Sequence, residues 1–167
     1  MVRKFHPIDP ARLGDDKALA IAAYGQAVAA YRCIILAEKA AQDALRRSFE
    51  AMARQKNDRR DHLQSLLEEL FPSTCFFLTT EDKNLVCVGP RLVDARDDAR
   101  FDEAMKLLIA SEKRGISFYN RYVPLAKTAA VRTLFSTLAA EGLDRVRQLR
   151  RLFQESGKQI AEACPIL

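Results

Sequence analysis

Sliding the chain along itself by 86 residues, without a gap, lays LRRSFEAMARQKNDRRDHL (Leu45 to Leu63) on VRTLFSTLAAEGLDRVRQL (Val131 to Leu149). Arg46 falls on Arg132, Phe49 on Phe135, Ala53 on Ala139, Asp58 on Asp144, Arg59 on Arg145 and Leu63 on Leu149. The same shift carries the helical pattern that opens the chain onto the one that follows Asp98. Such a register, kept across two consecutive elements, is the mark of a duplicated helical hairpin. Two copies of an amphipathic hairpin can bury their apolar stripes only against each other, so the repeat restricts the chain to all-α folds built from four long helices.

The punctuation along the chain agrees. Residues 1–14 read as an arm closed by Gly14, with Asp15 and Asp16 offering capping side chains and a favourable charge for a helix start. Helical patterns are expected from Lys17 to about Lys39, from Asp43 to Leu70 where Phe71 and Pro72 stop them, from about Asp98 to Arg121, and from about Ala129 to Glu155, with a division near Pro124. The stretch 72–97 is rich in β-branched and aromatic residues and holds Pro72, Gly89 and Pro90. It reads as a long crossover with short extended pieces. Residues 156–167 form a tail that could add a short helix before Pro165. Two hairpins joined by a long crossover, spanning 15–155, is the order of a four-helix bundle with one crossover connection.

Following the alternating four-and-three spacing gives the inward stripe of each helix. It reads Leu19, Ala23, Gln26, Ala30, Cys33 and Ala37 in the first helix, and Leu45, Phe49, Met52, Lys56, Arg59, Leu63 and Leu66 in the second. Its equivalents are Met105, Ile109, Glu112, Ile116, Tyr119 and Val123, then Val131, Phe135, Leu138, Gly142, Arg145, Leu149 and Leu152. Each stripe is apolar at both ends and interrupted in its middle. One residue interrupts each first helix (Gln26, Glu112), and a pair three apart interrupts each second helix (Lys56 with Arg59, Gly142 with Arg145). A dinuclear carboxylate centre in a bundle needs that pattern of positions, one Glu from each of two helices and Glu-x-x-His from each of the others.

Charge and cysteine usage narrow the other function classes. A net charge of +5 permits nucleic acid binding, but bases and acids are interleaved and DRVRQLRRL reads as a solvated helix face, so nucleic acid is disfavoured. Cys33, Cys75, Cys87 and Cys164 form no Cys-x-x-Cys pair, which speaks for buried or idle thiols over a zinc or redox motif. The lack of a long uninterrupted apolar run and of a signal-peptide start argues for a cytoplasmic protein with no membrane segment.

IASEKRGISFYNRY and AVRTLFSTLAAE resemble, respectively, the first-helix motif of the rubrerythrin branch of the ferritin-like superfamily and that family's approach to Glu-x-x-His. The similarity covers nearly all of Lys17 to Phe153 apart from the crossover, and is to the bundle alone, since rubredoxin-type Cys pairs are lacking. It implies a ferritin-like four-helix bundle that pairs as a homodimer, with di-iron chemistry such as peroxide reduction or ferrous iron oxidation. Carried over residue by residue, Glu112 matches a ligand Glu and Gln26 stands at its counterpart. Lys56 and Gly142 stand at the two Glu positions of Glu-x-x-His, and Arg59 and Arg145 at the two His positions.

Protonated lysine and arginine offer no lone pair to a metal, and glutamine offers only a neutral carbonyl oxygen. These former di-metal positions therefore read as a lost centre, with no catalytic residue and no cofactor expected. Arg59 or Arg145, or both, are expected to hydrogen-bond Glu112 in the core, and the surplus of cations requires either that Lys56 reaches solvent or that another negative group joins them. Asp58 and Asp144 point about 100° away around their helices. His62 would reach a ligand position only if the second helix slid by three residues, and is read as a surface or rim histidine. Tyr24 is read as core packing beside Tyr31, Ile21 and Val28.

The expected function is structural, interaction-based or regulatory. The alternative is an iron or other divalent-metal oxidoreductase holding its metal through Glu112 and His62. A repurposed bundle that binds a small ligand, an anion or nucleic acid is a third class. The sequence names no protein or small-molecule partner.

Overall fold

The computed structural model describes residues 8–155. Five α-helices account for most of it: α1 Asp15–Lys39, α2 Asp43–Leu70, α3 Thr80–Asn84, α4 Asp98–Tyr122 and α5 Ala129–Glu155. Short 3-10 turns at Pro10–Arg12 and Val123–Leu125 lead into α1 and out of α4, and the described residues contain no strand. The chain is thus all-α. The tail 156–167, with Cys164, and the first seven residues of the arm lie outside the described residues.

Helices α1 and α2 turn back on each other through Ala40, Ala41 and Gln42, and α4 and α5 do so through Val123 to Thr128, so the two hairpins of the repeat form. α2 and α5 begin one repeat length apart, at Asp43 and Ala129. The predicted stripes face inward. Phe49, Leu63, Val131, Phe135 and Leu149 are fully buried, as are Leu19 and Leu36 on α1, each contributing about 1.5–3 kcal/mol by leaving water. α1 differs from the other long helices in being apolar on most of its circumference. By length and composition it is the one described helix able to cross a membrane, and 61% of its apolar window is buried inside the fold. That is the environment of a core helix.

The apolar interior divides into two clusters. One holds Leu19, Leu63, Val131 and an aromatic group in which Tyr119 meets Phe135 edge-on at 5.3 Å and Phe118 stacks on Tyr122 at 6.1 Å. The other holds Cys33, Phe49, Met52, Met105, Ile116 and Leu149. Burial in this second cluster pushes the Cys33 thiol up to about 12, so it stays protonated. The interrupted middle of the four stripes lies between these clusters.

The crossover contains no strand, and the Thr79 backbone within it is extended, as expected of short extended pieces; a helix inside it was not expected. It contains α3, nucleated by a capping box in which the Asp82 N–H donates to Thr79 Oγ1 at 3.2 Å and the Thr79 N–H to Asp82 Oδ2 at 2.8 Å. That Thr-x-x-Asp signal outweighs the β-branched composition around it. Asp15 does not cap its own helix, whose N-cap is Gly14 with no side-chain bond. Its carboxylate instead accepts from the backbone N–H groups of Lys127 (3.1 Å) and Thr128 (2.8 Å) and from the Tyr122 hydroxyl (2.7 Å). The start of α1 therefore caps the approach to α5, and the two hairpins are tied at that end.

Candidate functional site

Five of the six interrupted positions, Gln26, Lys56, Glu112, Gly142 and Arg145, border one small cavity at the junction of the hairpins. It leaves about 20 Å³ for the centre of a water molecule, room for roughly one water. Lys56 Nζ of α2 lies 2.5 Å from Glu112 Oε1 of α4, and both side chains are more than nine-tenths buried. Beside them the Gln26 amide donates to the Tyr119 hydroxyl at 2.9 Å. Burial pushes the Tyr119 phenol well above its ordinary range. It is a neutral partner for Gln26.

The two arginines are placed differently from expectation. Neither pairs with Glu112. Arg59 is half-buried at the rim and makes a two-pronged pair with Glu141 of α5, Nε to Oε2 at 2.9 Å and Nη2 to Oε1. That hydrogen-bonded carboxylate holds the Arg59 guanidinium above its already high ordinary value. Arg145 is buried and donates from Nη1 to the Gln55 side-chain oxygen on α2. The physical reason is one of reach and charge. Lysine is a compact point charge that fits beside Glu112 in the closed interior, whereas the arginine forks extend along the α2–α5 seam to more exposed acceptors. Lys56 does not reach solvent, and the further negative group that joins the cluster is Glu141, paired with Arg59.

At Gly142 the α5 backbone packs closely against the Ile116 side chain of α4. A Cβ at this position would lie 2.6 Å from Ile116 Cγ1 and 3.9 Å from Glu112 Oε2. That contact favours glycine, since a Cβ here would force Ile116 or the helix to shift. His62 is exposed and borders neither the cavity nor the groove described below. Tyr24 is half-buried with Lys83 Nζ 5.4 Å from its ring centre, and its expected neighbour Tyr31 is exposed. Asp58 and Asp144 point outward as expected, and both are exposed.

These residues do not fit a dinuclear metal centre. Two hard divalent ions need several carboxylates with imidazoles at one level. The cavity offers Glu112, already paired with an ammonium, and Glu141, already paired with a guanidinium. Among the described residues no group of three His, Cys, Asp or Glu side chains is arranged to hold a metal ion.

Sequence reasoning passed over two features. Glu141 precedes Gly142 and lies off the four-and-three stripe, so only its partner Arg59 reveals it. Arg32, fully buried on α1, donates to Ser111 Oγ (2.8 Å) and to the carbonyls of Val88 (2.7 Å) and Pro90 (2.6 Å), pinning the crossover to α4. Its signal was a lone arginine among apolar residues in AVAAYRCIIL. Alongside the cavity, α2 and α5 also leave an open groove with about 500 Å³ of room, bordered by Gln55, Asp58 and Arg59 on one side and Glu141, Asp144 and Arg145 on the other.

No family model matches the chain, and no curated protein matches it. Among solved structures, a hypothetical protein from Pyrococcus furiosus superposes with a TM-score of 0.74 over 90% of this chain and 96% of its own, at 18% sequence identity. A likeness at that identity is one of fold.

Proposed function

We propose that the chain is a ferritin-like four-helix bundle of rubrerythrin type in which a buried ion pair stands where the dinuclear centre would be. Its role is then structural, interaction-based or regulatory, exercised as a homodimer. The observation that carries this reading is the Lys56 ammonium 2.5 Å from the carboxylate of Glu112. A cation supplied by the protein neutralises the remaining acid, and Gln26, Gly142 and Arg145 around it add no anionic ligand. The resemblance of IASEKRGISFYNRY and AVRTLFSTLAAE to the family's helices supports the bundle type.

Metal analysis of protein purified from iron-supplied cells tests the reading. No stoichiometric iron or manganese is expected, and roughly two irons per chain would overturn it. Light scattering on the same sample is expected to give twice the chain mass, and a monomer removes the dimer from the proposal.

A further inference from the structure

Arg145 is the unbalanced member of the charged seam. It is 8% exposed, its Nη1 meets only the neutral Gln55, and its Nε, fully shielded from solvent, has no hydrogen-bond partner. Among the described residues no carboxylate forms an ion pair with it. A guanidinium carries five donors, and buried charges are ordinarily paired with an opposite charge. Arg145 also borders the 500 Å³ groove between α2 and α5, a volume within the range of small-molecule sites.

The remaining groove charges indicate the kind of occupant. Arg59 is held by Glu141, and Asp144 accepts a surface hydrogen bond from Arg147 Nη1 at 2.9 Å. Asp58 and Asp144 are both exposed along the groove. A dianion such as phosphate entering here meets three carboxylates, Asp58, Glu141 and Asp144, against two arginines. A molecule with one carboxylate and one ammonium meets arginine with one end and aspartates with the other. We propose that the groove binds a small amino-carboxylate zwitterion, an amino acid in kind, with its carboxylate on Arg145 and its ammonium toward Asp58 and Asp144. With Nε shielded and Nη1 held by Gln55, the carboxylate meets the edge of the Arg145 guanidinium that borders the groove, drawn by a charge that no carboxylate of the described residues neutralises.

The test is calorimetric titration of the full chain with glycine, L-leucine and L-glutamine, and with acetate, butylamine and inorganic phosphate as partial mimics. At least one amino acid is expected to saturate, to bind more tightly than every mimic, and to raise Tm. Arg145→Gln is expected to weaken that binding by roughly tenfold or more. If Arg145→Gln does not fold, the surface variant Asp58→Asn/Asp144→Asn carries the test, weakening the amino acid while acetate, freed of two repelling carboxylates, binds at least as well as to the parent. The proposal is overturned if no amino acid binds with a Kd below about 10 mM, if phosphate binds more tightly than all of them, or if the folded variants bind as the parent does. Metal content is measured separately, so loss of this inference leaves the reading of the central ion pair untouched, and the reverse.

Discussion

The two hairpins share a register and meet the centre of the molecule with opposite chemistry. α1 and α2 bring Gln26 and Lys56, while α4 and α5 bring Glu112 and, at Gly142, no side chain. Two identical halves would place like against like: two lysines, or two glutamates, in one closed space. Divergence turned the pair into complements, an ammonium from one copy, a carboxylate from the other, and a glycine that lets α5 come close enough to seal them in. The crossover deepens the difference because it exists once. Arg32 of the first copy binds its carbonyls, whereas Phe118, at the equivalent place in the second, joins the aromatic cluster.

The largest test of this complementarity is to break it from one side. Glu112→Ala leaves the Lys56 ammonium buried without a partner and is expected to cost about 3–5 kcal/mol in urea unfolding. The double variant Lys56→Met/Glu112→Leu should lie near the parent, since an apolar pair of similar volume removes both charges at once. Single-variant costs that simply add in the double variant would mean the halves are not coupled here.

A smaller effect is expected at the glycine. Gly142→Ala puts a methyl 2.6 Å from Ile116 Cγ1 and should destabilise by about 1–3 kcal/mol as α4 and α5 move apart. Combined with Ile116→Ala, which removes the obstructing atoms, the total should be less than the sum of the two single costs. Strict additivity would place the reason for the glycine elsewhere.

The smallest effect concerns the tie at the far end. Asp15→Ala removes the acceptor that α1 offers to Lys127, Thr128 and Tyr122 and is expected to cost about 1 kcal/mol. Burial alone would raise the Asp15 carboxyl, but the hydrogen bonds from Thr128, Tyr122 and Lys127 outweigh it and hold it below its ordinary value of 3.8. The stabilisation is then fully present above that ordinary value and is lost as the pH falls through the lower folded value. Parent and variant stability curves should converge below it, and a constant gap down to that pH would remove the ionised carboxylate from the account.

Much of this architecture was legible because helical periodicity is a local property. The stripes through Phe49, Leu63, Phe135 and Leu149 were readable from spacing, and so was the central level of interruptions, because side chains three and four apart share a face wherever the helix is placed. The partners were not legible. Spacing put Lys56, Arg59, Arg145 and Glu112 near one height, and chemistry favoured an arginine on the carboxylate. Which cation reaches it depends on the rotation and separation of α2 and α4, and on the room that Gly142 makes. Glu141 and Arg32 were missed for a related reason: each is explained only by a group 56 or more residues away, Arg59 for the first and the Val88 and Pro90 carbonyls for the second.

By itself, then, the sequence determined the all-helical class, the two hairpins and the height at which their polar residues stand, since these follow from residue type and the 3.6-residue turn. Only the tertiary structure decided that Lys56 rather than an arginine neutralises Glu112, that Arg59 turns to Glu141, and that Asp15 caps the opposite hairpin. Charge pairing in a closed interior is set by distances of a few ångströms between elements distant in the chain, and no local pattern encodes them.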